Sequence, residues 1–262
     1  MSIFGNMYQR WRGPAAGDPP SLPAIRGYDM EVEAREAITQ VAGHTMVPYP
    51  RLVTLFQQAA HCELTQLAGA FVECGTWKGG GVGIMAQATL RYGKNPRALH
   101  LFDSFVGIPE PDAAVDGSRA VSEVARVGGG SAGRLRAVEG FYETYANGTG
   151  TLADNKRLLE GIIGYPSSML HYHEGWFQDT VPQAATQIGD IAILRLDGDW
   201  YASTKVCLEH LCPHVVAGGI VIIDDYGAYE GCRKAVDEYR QGQGLTEFMH
   251  HLDQDGRYWI KR

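Results

Sequence analysis

The stretch Ile191-Ala-Ile-Leu-Arg-Leu-Asp197-Gly-Asp199 decides the fold, together with a second stretch of the same kind, Gly218-Gly-Ile-Val-Ile-Ile-Asp224-Asp225. Each is an apolar run that ends abruptly in carboxylates. This pattern is typical of a buried parallel strand whose carboxyl end opens onto a ligand crevice. If the two strands lie side by side, Asp197, Asp224 and Asp225 come within a few ångströms of one another.

Three carboxylates that close repel one another unless some of them stay protonated or a cation lies among them. A hard divalent ion with oxygen ligands, such as Mg2+, is the simplest way to hold them together. The sequence therefore predicts a metal site formed by these three aspartates. The alternative is that they are ordinary cap and turn residues after two strands.

Composition limits the class of protein. The chain has 262 residues, 45% of them apolar, which is enough for a sizeable core. Its net charge of -7 argues against a nucleic-acid partner held by phosphate contacts. The five cysteines include no C-x-x-C pair, so neither a disulfide framework nor a zinc site is indicated. Without a signal-peptide core or a run of about 18 apolar residues, we expect a cytoplasmic protein with no membrane partner.

The chain divides into an arm and one larger unit. Residues 1–27 are rich in Pro and Gly and have no apolar period, which predicts a flexible arm. Such arms often pack on a partner subunit, so we expect a homodimer or a higher homo-oligomer. Residues 28–262 are predicted to form a single domain that begins with a helical extension over 28–66. The loop at 44–48, where Pro48 blocks helix continuation, separates two helices there.

The first strand of the domain leads into a glycine-rich turn, in Gly69-Ala-Phe-Val-Glu73-Cys-Gly75-Thr-Trp-Lys-Gly79-Gly80-Gly81. Glycines let the backbone approach a ligand at the positive end of the helix that follows, from about 81 to 92. The spacing differs from the dinucleotide fingerprint G-x-G-x-x-G, and an acid precedes the first glycine. Glu73 would repel a pyrophosphate but could attract an amino group or a sulfonium-bearing ligand.

A second strand, residues 98–102, ends in Asp103. This carboxylate is well placed to accept hydrogen bonds from a ribose diol. It lies one βαβ unit after Glu73, so the two acids are expected at the same edge of the sheet. Either carboxylate by itself is also consistent with a structural cap.

The remaining segments complete a Rossmann-like, doubly wound α/β sheet. Residues from about 106 to 164 exceed the single crossover helix that this fold needs, so they are predicted to form a lid or acceptor-binding insertion, or else a solvated surface excursion. Two short helical pieces are expected in it, near 121–126 and 138–145. The third strand, 167–173, carries His171 and His173 on one face, and we expect both to be structural. Asp255-Gly256 predicts a terminal hairpin, so the sheet is mostly parallel with an antiparallel last strand.

Five sequence blocks narrow the interpretation further. In chain order they are Phe71-Val-Glu-Cys-Gly-Thr-Trp-Lys-Gly-Gly, Phe102-Asp-Ser-Phe, Glu174-Gly-Trp-Phe-Gln-Asp-Thr, Leu194-Arg-Leu-Asp-Gly-Asp-Trp-Tyr and Ile222-Ile-Asp-Asp-Tyr. The overall organisation resembles the class I methyltransferases, which bind S-adenosylmethionine. The five blocks in this order resemble the macrocin O-methyltransferase family, whose members methylate sugar hydroxyls on macrolides and aminocoumarins, including the noviose of novobiocin.

The resemblance implies roles for individual residues. Glu73, Gly75 and Thr76 would border the methionine part of the cofactor, Asp103 and Ser104 would hold its ribose, and Trp176 would lie near its adenine. Gly175 and the loop residues Thr45 and Met46 complete the implied cofactor site. Asp197, Asp224 and Asp225 would bind Mg2+.

The proton acceptor is less well defined by the resemblance. The catechol O-methyltransferases share the acidic trio in outline but place a lysine base three residues beyond the first ligand, where this chain has Trp200. Asp197 is therefore the first choice for the base, followed by Asp199 or a residue of the insertion.

The predicted activity is Mg-dependent transfer of a methyl group from S-adenosylmethionine to a sugar hydroxyl of a small glycosylated natural product. The alternatives are a catechol-type enzyme acting on a small phenolic acceptor and a non-catalytic cofactor-binding protein. A nicotinamide dehydrogenase would share the sheet, but the glycine spacing and the acidic trio argue against it.

Overall fold

The computed structural model describes residues 22–262, so most of the predicted arm, residues 1–21, lies outside the described residues. A seven-stranded sheet forms the centre of this part of the chain, in the order β3-β2-β1-β4-β5-β7-β6. The strands are β1 Ala70–Cys74, β2 Leu99–Asp103, β3 Leu170–Glu174, β4 Ile191–Leu196, β5 Val215–Ile223, β6 His250–His251 and β7 Arg257–Ile260.

The predicted strand directions are confirmed. Strands β1 to β5 pair in parallel, and β7 runs antiparallel to β5. The strand order reverses between β1 and β4, and ligands of doubly wound sheets bind at the carboxyl ends of the strands beside such a reversal. The acids that follow β1, β2, β4 and β5 are therefore brought to one crevice.

Helices cover both faces of the sheet, because the central strands are apolar on both sides. Phe71 and Ile193 point to one face and pack under the first three helices, whereas Val72 and Leu194 point to the other. All four side chains are fully buried. The helices are α1 Glu31–Val41, α2 Tyr49–Leu64, α3 Gly80–Tyr92, α4 Gly117–Ala125, α5 Phe141–Tyr145, α6 Leu152–Lys156, α7 Phe177–Ile188, α8 Tyr201–Leu211 and α9 Glu230–Gly242.

The insertion between β2 and β3 contains more regular structure than the sequence indicated. Two helical pieces were expected near 121–126 and 138–145, and they correspond to α4 and α5. A third piece, α6 with the π-helical turn Arg157–Ile162 after it, was not predicted. It forms because Leu158 and Leu159 are fully buried in the core beside α3, a tertiary contact that leaves no periodic signal in so short a segment.

The predicted helical extension is α1 and α2. The carboxylate of Glu31, the first residue of α1, accepts hydrogen bonds from the backbone N–H groups of Arg26, Gly27 and Tyr28 at 2.7–3.0 Å. These bonds hold the segment that precedes α1 against the start of the helix. Within residues 22–262 there is no helix that combines the length and the apolar character needed to span a membrane.

Candidate functional site

A cavity of about 460 Å3 lies at the carboxyl ends of the parallel strands. Its wall combines the ends of β1, β2, β4 and β5 with the 44–48 loop, the insertion and the C-terminal turn at 253–255. A smaller neighbouring cavity is lined by Ser104, Gly175 and Trp176. The two cavities share Gly75, Asp103, Asp197 and Asp199 in their walls. The remaining residues of the predicted site line the larger cavity: Thr45, Met46, Glu73, Thr76, Asp224 and Asp225.

The glycine-rich turn approaches the β4 end more closely than any side chain would permit. Gly75 has φ +89°, and a Cβ at this position would overlap the carbonyl oxygen of Asp197. A Cβ at Gly81, in the first turn of α3, would overlap the Glu73 carboxylate. The turn therefore has a conformation that only glycine adopts without strain, and it leaves the Glu73 carboxylate against the start of α3.

Glu73 is a buried carboxylate in this wall, with an exposed fraction of 1%. Its Oε1 accepts a hydrogen bond from the Arg195 guanidinium, while its Oε2 is buried without a hydrogen-bond partner among the described residues. Burial raises the pKa of Glu73 to about 7, against the opposing effect of Arg195. A buried acceptor without a partner is costly, so this oxygen is suited to a ligand that brings a donor.

Two more buried polar atoms on this side of the cavity, Thr76 Oγ1 and His44 Nδ1, also have no hydrogen-bond partner among the described residues. His44 was not predicted as a site residue. Its only sequence signal was its place in a polar loop before Pro48. Three unsatisfied polar atoms in one wall indicate a polar ligand there.

Asp103 has a more structural role than the sequence suggested. Its Oδ2 accepts hydrogen bonds from the backbone N–H groups of Thr76 and Trp77, both at 2.9 Å, and its Oδ1 accepts one from Phe105 at 2.8 Å. Burial raises its pKa more than these hydrogen bonds lower it. The carboxylate thus holds the glycine-rich turn against the end of β2. Oδ1 accepts one hydrogen bond and has a second lone pair, so a ribose contact at this oxygen stays a prediction.

Three carboxylates meet in the wall of the same cavity. Oxygen atoms of Asp197, Asp199 and Asp225 all lie within 4.8 Å of one another. Asp199 has φ +54°, a left-handed conformation that is uncommon for a residue other than glycine. Backbone strain of this kind is concentrated at functional sites.

Asp224 lines the same cavity but is not part of this group, which differs from the expected trio. Its carboxylate accepts hydrogen bonds from Arg195 Nη2 and Arg51 Nη1, each at 2.7 Å. These two guanidinium groups hold the Asp224 carboxylate to one side of the other three. The structure therefore groups Asp199, rather than Asp224, with Asp197 and Asp225.

Two buried arginines offset part of the charge of these acids, and neither was singled out from the sequence. Arg195 also donates to Asp197 at 3.1 Å, and Arg51 donates to Asp253 at 2.7 and 2.8 Å. The acidic partners raise the pKa of both arginines despite their burial. For Arg195, the available signal was its position inside an otherwise apolar strand, since an arginine is seldom buried unless it is paired.

The position at which a catechol-type enzyme has its lysine is a buried tryptophan. Trp200 has an exposed fraction of 2%, and its indole N–H donates to the carbonyl of Pro109 in the insertion at 2.9 Å. Trp200 therefore anchors the turn and does not supply a base. The insertion brings Arg119, Phe141 and Tyr142 to the cavity wall.

Comparison with known proteins gives one family. The model of the macrocin-O-methyltransferase (TylF) family matches residues 25–137 and 163–261. The sequence is 37% identical over 251 residues to 8-demethyl-8-(2,3-dimethoxy-alpha-L-rhamnosyl)-tetracenomycin-C 4'-O-methyltransferase of Streptomyces olivaceus, covering 93% of this chain and 82% of that protein.

Two further relatives agree with this result. Demethyldecarbamoylnovobiocin O-methyltransferase of Streptomyces niveus is 32% identical over 216 residues, which is 82% of this chain and 75% of that protein. The solved structure of the O-methyltransferase NovP superposes with a TM-score of 0.67 at 30% identity, covering 83% of this chain and 82% of NovP.

Proposed function

Because this chain belongs to the macrocin O-methyltransferase family and is an O-methyltransferase, we propose that it transfers a methyl group from S-adenosylmethionine to a sugar hydroxyl of a glycosylated natural product. The names of its relatives support the acceptor class, since one refers to a rhamnosyl-tetracenomycin and another to a novobiocin precursor. The observation that carries the proposal is the cavity whose wall contains both a glycine-rich turn and a group of three carboxylates.

The glycine-rich side of the cavity suits the cofactor. The unpartnered Glu73 Oε2 can accept a hydrogen bond from the cofactor's ammonium group, and Gly75 and Thr76 border the same space. Thr45 and Met46 close it from the side of the N-terminal helices. In the smaller cavity, Ser104 would bind the ribose together with Asp103, and Gly175 and Trp176 would contact the adenine.

The carboxylate side suits Mg2+, because its donors are all oxygen atoms close enough to share one ion. Asp197, Asp199 and Asp225 would hold the ion, while Asp224 would keep the site in place through its two arginines. A bound Mg2+ would lower the pKa of the acceptor hydroxyl and offset the repulsion among the acids.

The chain's own residues would orient the acceptor and take its proton. Asp197, which accepts a hydrogen bond from Arg195, would be the first choice for the base, with Asp199 or a residue of the insertion behind it. S-adenosylmethionine would supply the methyl group and leave as the neutral thioether, while the carboxylate would take the proton of the acceptor hydroxyl. Alignment of this kind is worth roughly 7 to 11 kcal/mol.

The test is methyl transfer from labelled S-adenosylmethionine to a panel of glycosylated natural products, compared with their aglycones and with simple catechols. We expect transfer to glycosides only, abolished in Asp199→Asn, with S-adenosylhomocysteine affinity unchanged in calorimetry. Transfer to catechols alone would favour the catechol-type alternative. Cofactor binding without transfer to any acceptor would favour a non-catalytic protein.

Self-association stays a prediction, because it was inferred from the arm at residues 1–27, most of which lies outside the described residues. Light scattering of the full chain and of a chain that starts at residue 22 would test it. A homodimer that becomes a monomer on removal of the arm is the expected result.

A further inference from the structure

We infer that Asp116, at the start of the insertion's first helix, is a positioning residue. It holds the turn at residues 197–200, here called the Asp199 turn, in the conformation needed for activity. The inference rests on the proposed function, since Asp199 is one of the candidate bases and one of the three aspartates assigned to the metal ion. It gives the first part of the insertion a role distinct from covering the cavity.

The contacts of Asp116 are unusual for an insertion residue. Its exposed fraction is 2%, and its Oδ1 accepts the backbone N–H of Tyr201 at 2.7 Å. Its Oδ2 accepts the backbone N–H of Asp112 at 2.6 Å. Tyr201 is the first residue of α8, directly after Asp199 and Trp200. The Asp116 carboxylate, from a distant segment, therefore binds the start of α8, the helix that follows Asp199.

The helix needs this partner because its own N-cap residue cannot serve. Trp200 occupies the N-cap position of α8 and makes no side-chain cap hydrogen bond. The first N–H groups of a helix have no partner within the helix, and a negative charge there also interacts favourably with the helix dipole. Asp116 supplies from the insertion what Ser, Thr, Asp or Asn supplies at an ordinary N-cap.

A second contact fixes the other side of the same turn. The Trp200 indole donates to the Pro109 carbonyl, so residues 109 and 116 of the insertion hold residues 200 and 201 at two points. Asp199 lies next to these two points with its left-handed φ of +54°. A strained conformation persists only when the surrounding structure imposes it, and these contacts impose it here.

Asp116 also contacts the helix that follows Asp225. A Cβ at Gly231, in the first turn of α9, would overlap Asp116 Oδ1 and come within 3.0 Å of the Tyr201 nitrogen. The carboxylate thus lies between the starts of α8 and α9. These two helices follow the turns that carry Asp199 and Asp225. The buried Asp116 side chain therefore sets the distance between two of the three clustered aspartates.

The test compares Asp116→Asn and Asp116→Ala with Glu110→Gln. The Asn variant keeps an oxygen for Tyr201 but places an NH2 group against the Asp112 N–H, and the Ala variant loses both hydrogen bonds. Glu110 is the control because it is buried in the same insertion and its carboxylate bonds Arg134, at 2.8 and 3.0 Å, instead of Tyr201.

We expect kcat to fall stepwise from wild type to Asn to Ala, by up to about 100-fold, since a misplacement of 1 Å can cost that much. The affinity for S-adenosylhomocysteine should not change, because Asp116 does not line the cofactor side. Amide hydrogen exchange at Tyr201 should speed up in both Asp116 variants and stay slow in Glu110→Gln, which should also retain the wild-type kcat.

Equal kcat values in all four proteins would overturn the inference. So would a loss of kcat in the Asp116 variants that Glu110→Gln reproduces, since this would indicate general loosening of the insertion. If wild type transfers no methyl group to any acceptor, the proposed function fails instead, and exchange at Tyr201 still reports whether Asp116 holds the turn.

Discussion

Arg195 offsets part of the negative charge of the site. It is buried near the end of an otherwise apolar strand, and its guanidinium contacts Glu73, Asp197 and Asp224. One acid on β1 and two acids directly after β4 and β5 are thereby joined through one cation. Because a buried charge is stable only when it is paired, this residue keeps these carboxylates in fixed directions before any ligand binds.

Gly75 provides a prediction at the residue scale. In Gly75→Ala, the new methyl group would overlap the Asp197 carbonyl and push the glycine-rich turn away from the β4 end. We expect S-adenosylhomocysteine affinity to fall by at least about tenfold, because the cavity wall moves, and stability to fall by on the order of 1–3 kcal/mol from backbone strain alone. Calorimetric binding and urea unfolding would measure the two effects.

Gly128→Ala is the matched control. Gly128 has φ +78°, similar to Gly75, but a Cβ there would meet nothing within 4 Å. Its variant should therefore show the strain without the overlap, and its cofactor affinity should equal that of wild type. Equal affinity in both variants would mean that the close approach at Gly75 has no part in cofactor binding.

At the scale of elements, β2 and β3 form an edge of the sheet that carries three histidines. The rings of His100 and His171 stack at 4.4 Å, His100 Nδ1 lies 3.1 Å from His173 Nε2, and His173 stacks on Phe102 at 4.1 Å. Burial, together with its histidine neighbours, lowers the pKa of His100 to about 3. Burial and His171 lower that of His173 to about 4.

This edge should make the protein less stable in mild acid. The folded state keeps His173 neutral below its ordinary pKa of 6.5, whereas the unfolded chain takes up a proton there. Its contribution to stability is therefore present above about pH 6.5 and is lost progressively as the pH falls toward about 4. Urea unfolding at several pH values should show a smaller pH dependence for His173→Gln than for wild type.

The exposed His251 is the comparison for this experiment. His251→Gln should keep the pH dependence of wild type, because this side chain lies at the surface. His173→Gln should also show a loss of stability that is independent of pH, from the missing contact with Phe102. Identical pH dependence in all three proteins would show that the histidine edge does not titrate differently on folding.

At the scale of the whole molecule, an alternating series of buried charges connects segments far apart in sequence. Glu73 of β1, Arg195 of β4, Asp224 after β5, Arg51 of α2 and Asp253 of the C-terminal turn contact one another in that order. The N-terminal helices and the terminal hairpin are thereby tied to the sheet at the crevice. Asp197 joins this series through Arg195, so a substitution of Asp197 should affect the stability of the whole fold.

Metal binding should be visible in the thermal unfolding of the full chain. Addition of Mg2+ should raise the melting temperature, because an ion that binds only the folded state stabilises it by about 2.7 kcal/mol at 100 times its Kd. EDTA should reverse the rise. Asp225→Asn should abolish it, since one of the three facing carboxylates is lost.

Asp190→Asn serves as the control, because this exposed aspartate lies outside the carboxylate group. Its melting temperature should respond to Mg2+ as wild type does. An equal response in Asp225→Asn would contradict the assignment of the ion to this group.

The sequence by itself determined the sheet, its crevice and the glycine-rich turn that lines it. Apolar runs that end in Asp103 and Asp197, and the glycine-rich turn after Glu73, are local patterns, because burial on both faces and positive φ values act on neighbouring residues. The five blocks that indicated the family are local in the same sense. These features could therefore be predicted from the sequence before any tertiary contact was known.

Only the tertiary structure decided which side chains face one another. Asp224 turns to Arg51 and Arg195 while Asp225 and Asp199 join Asp197, and Asp116 reaches α8 from an insertion 85 positions earlier in the chain. Such contacts depend on strand register, on the pleat and on how distant segments pack. Neither the periodicity of the chain nor the spacing of its motifs predicts these contacts. They join different segments of the chain, and the sequence distance between two segments does not fix their distance in the fold.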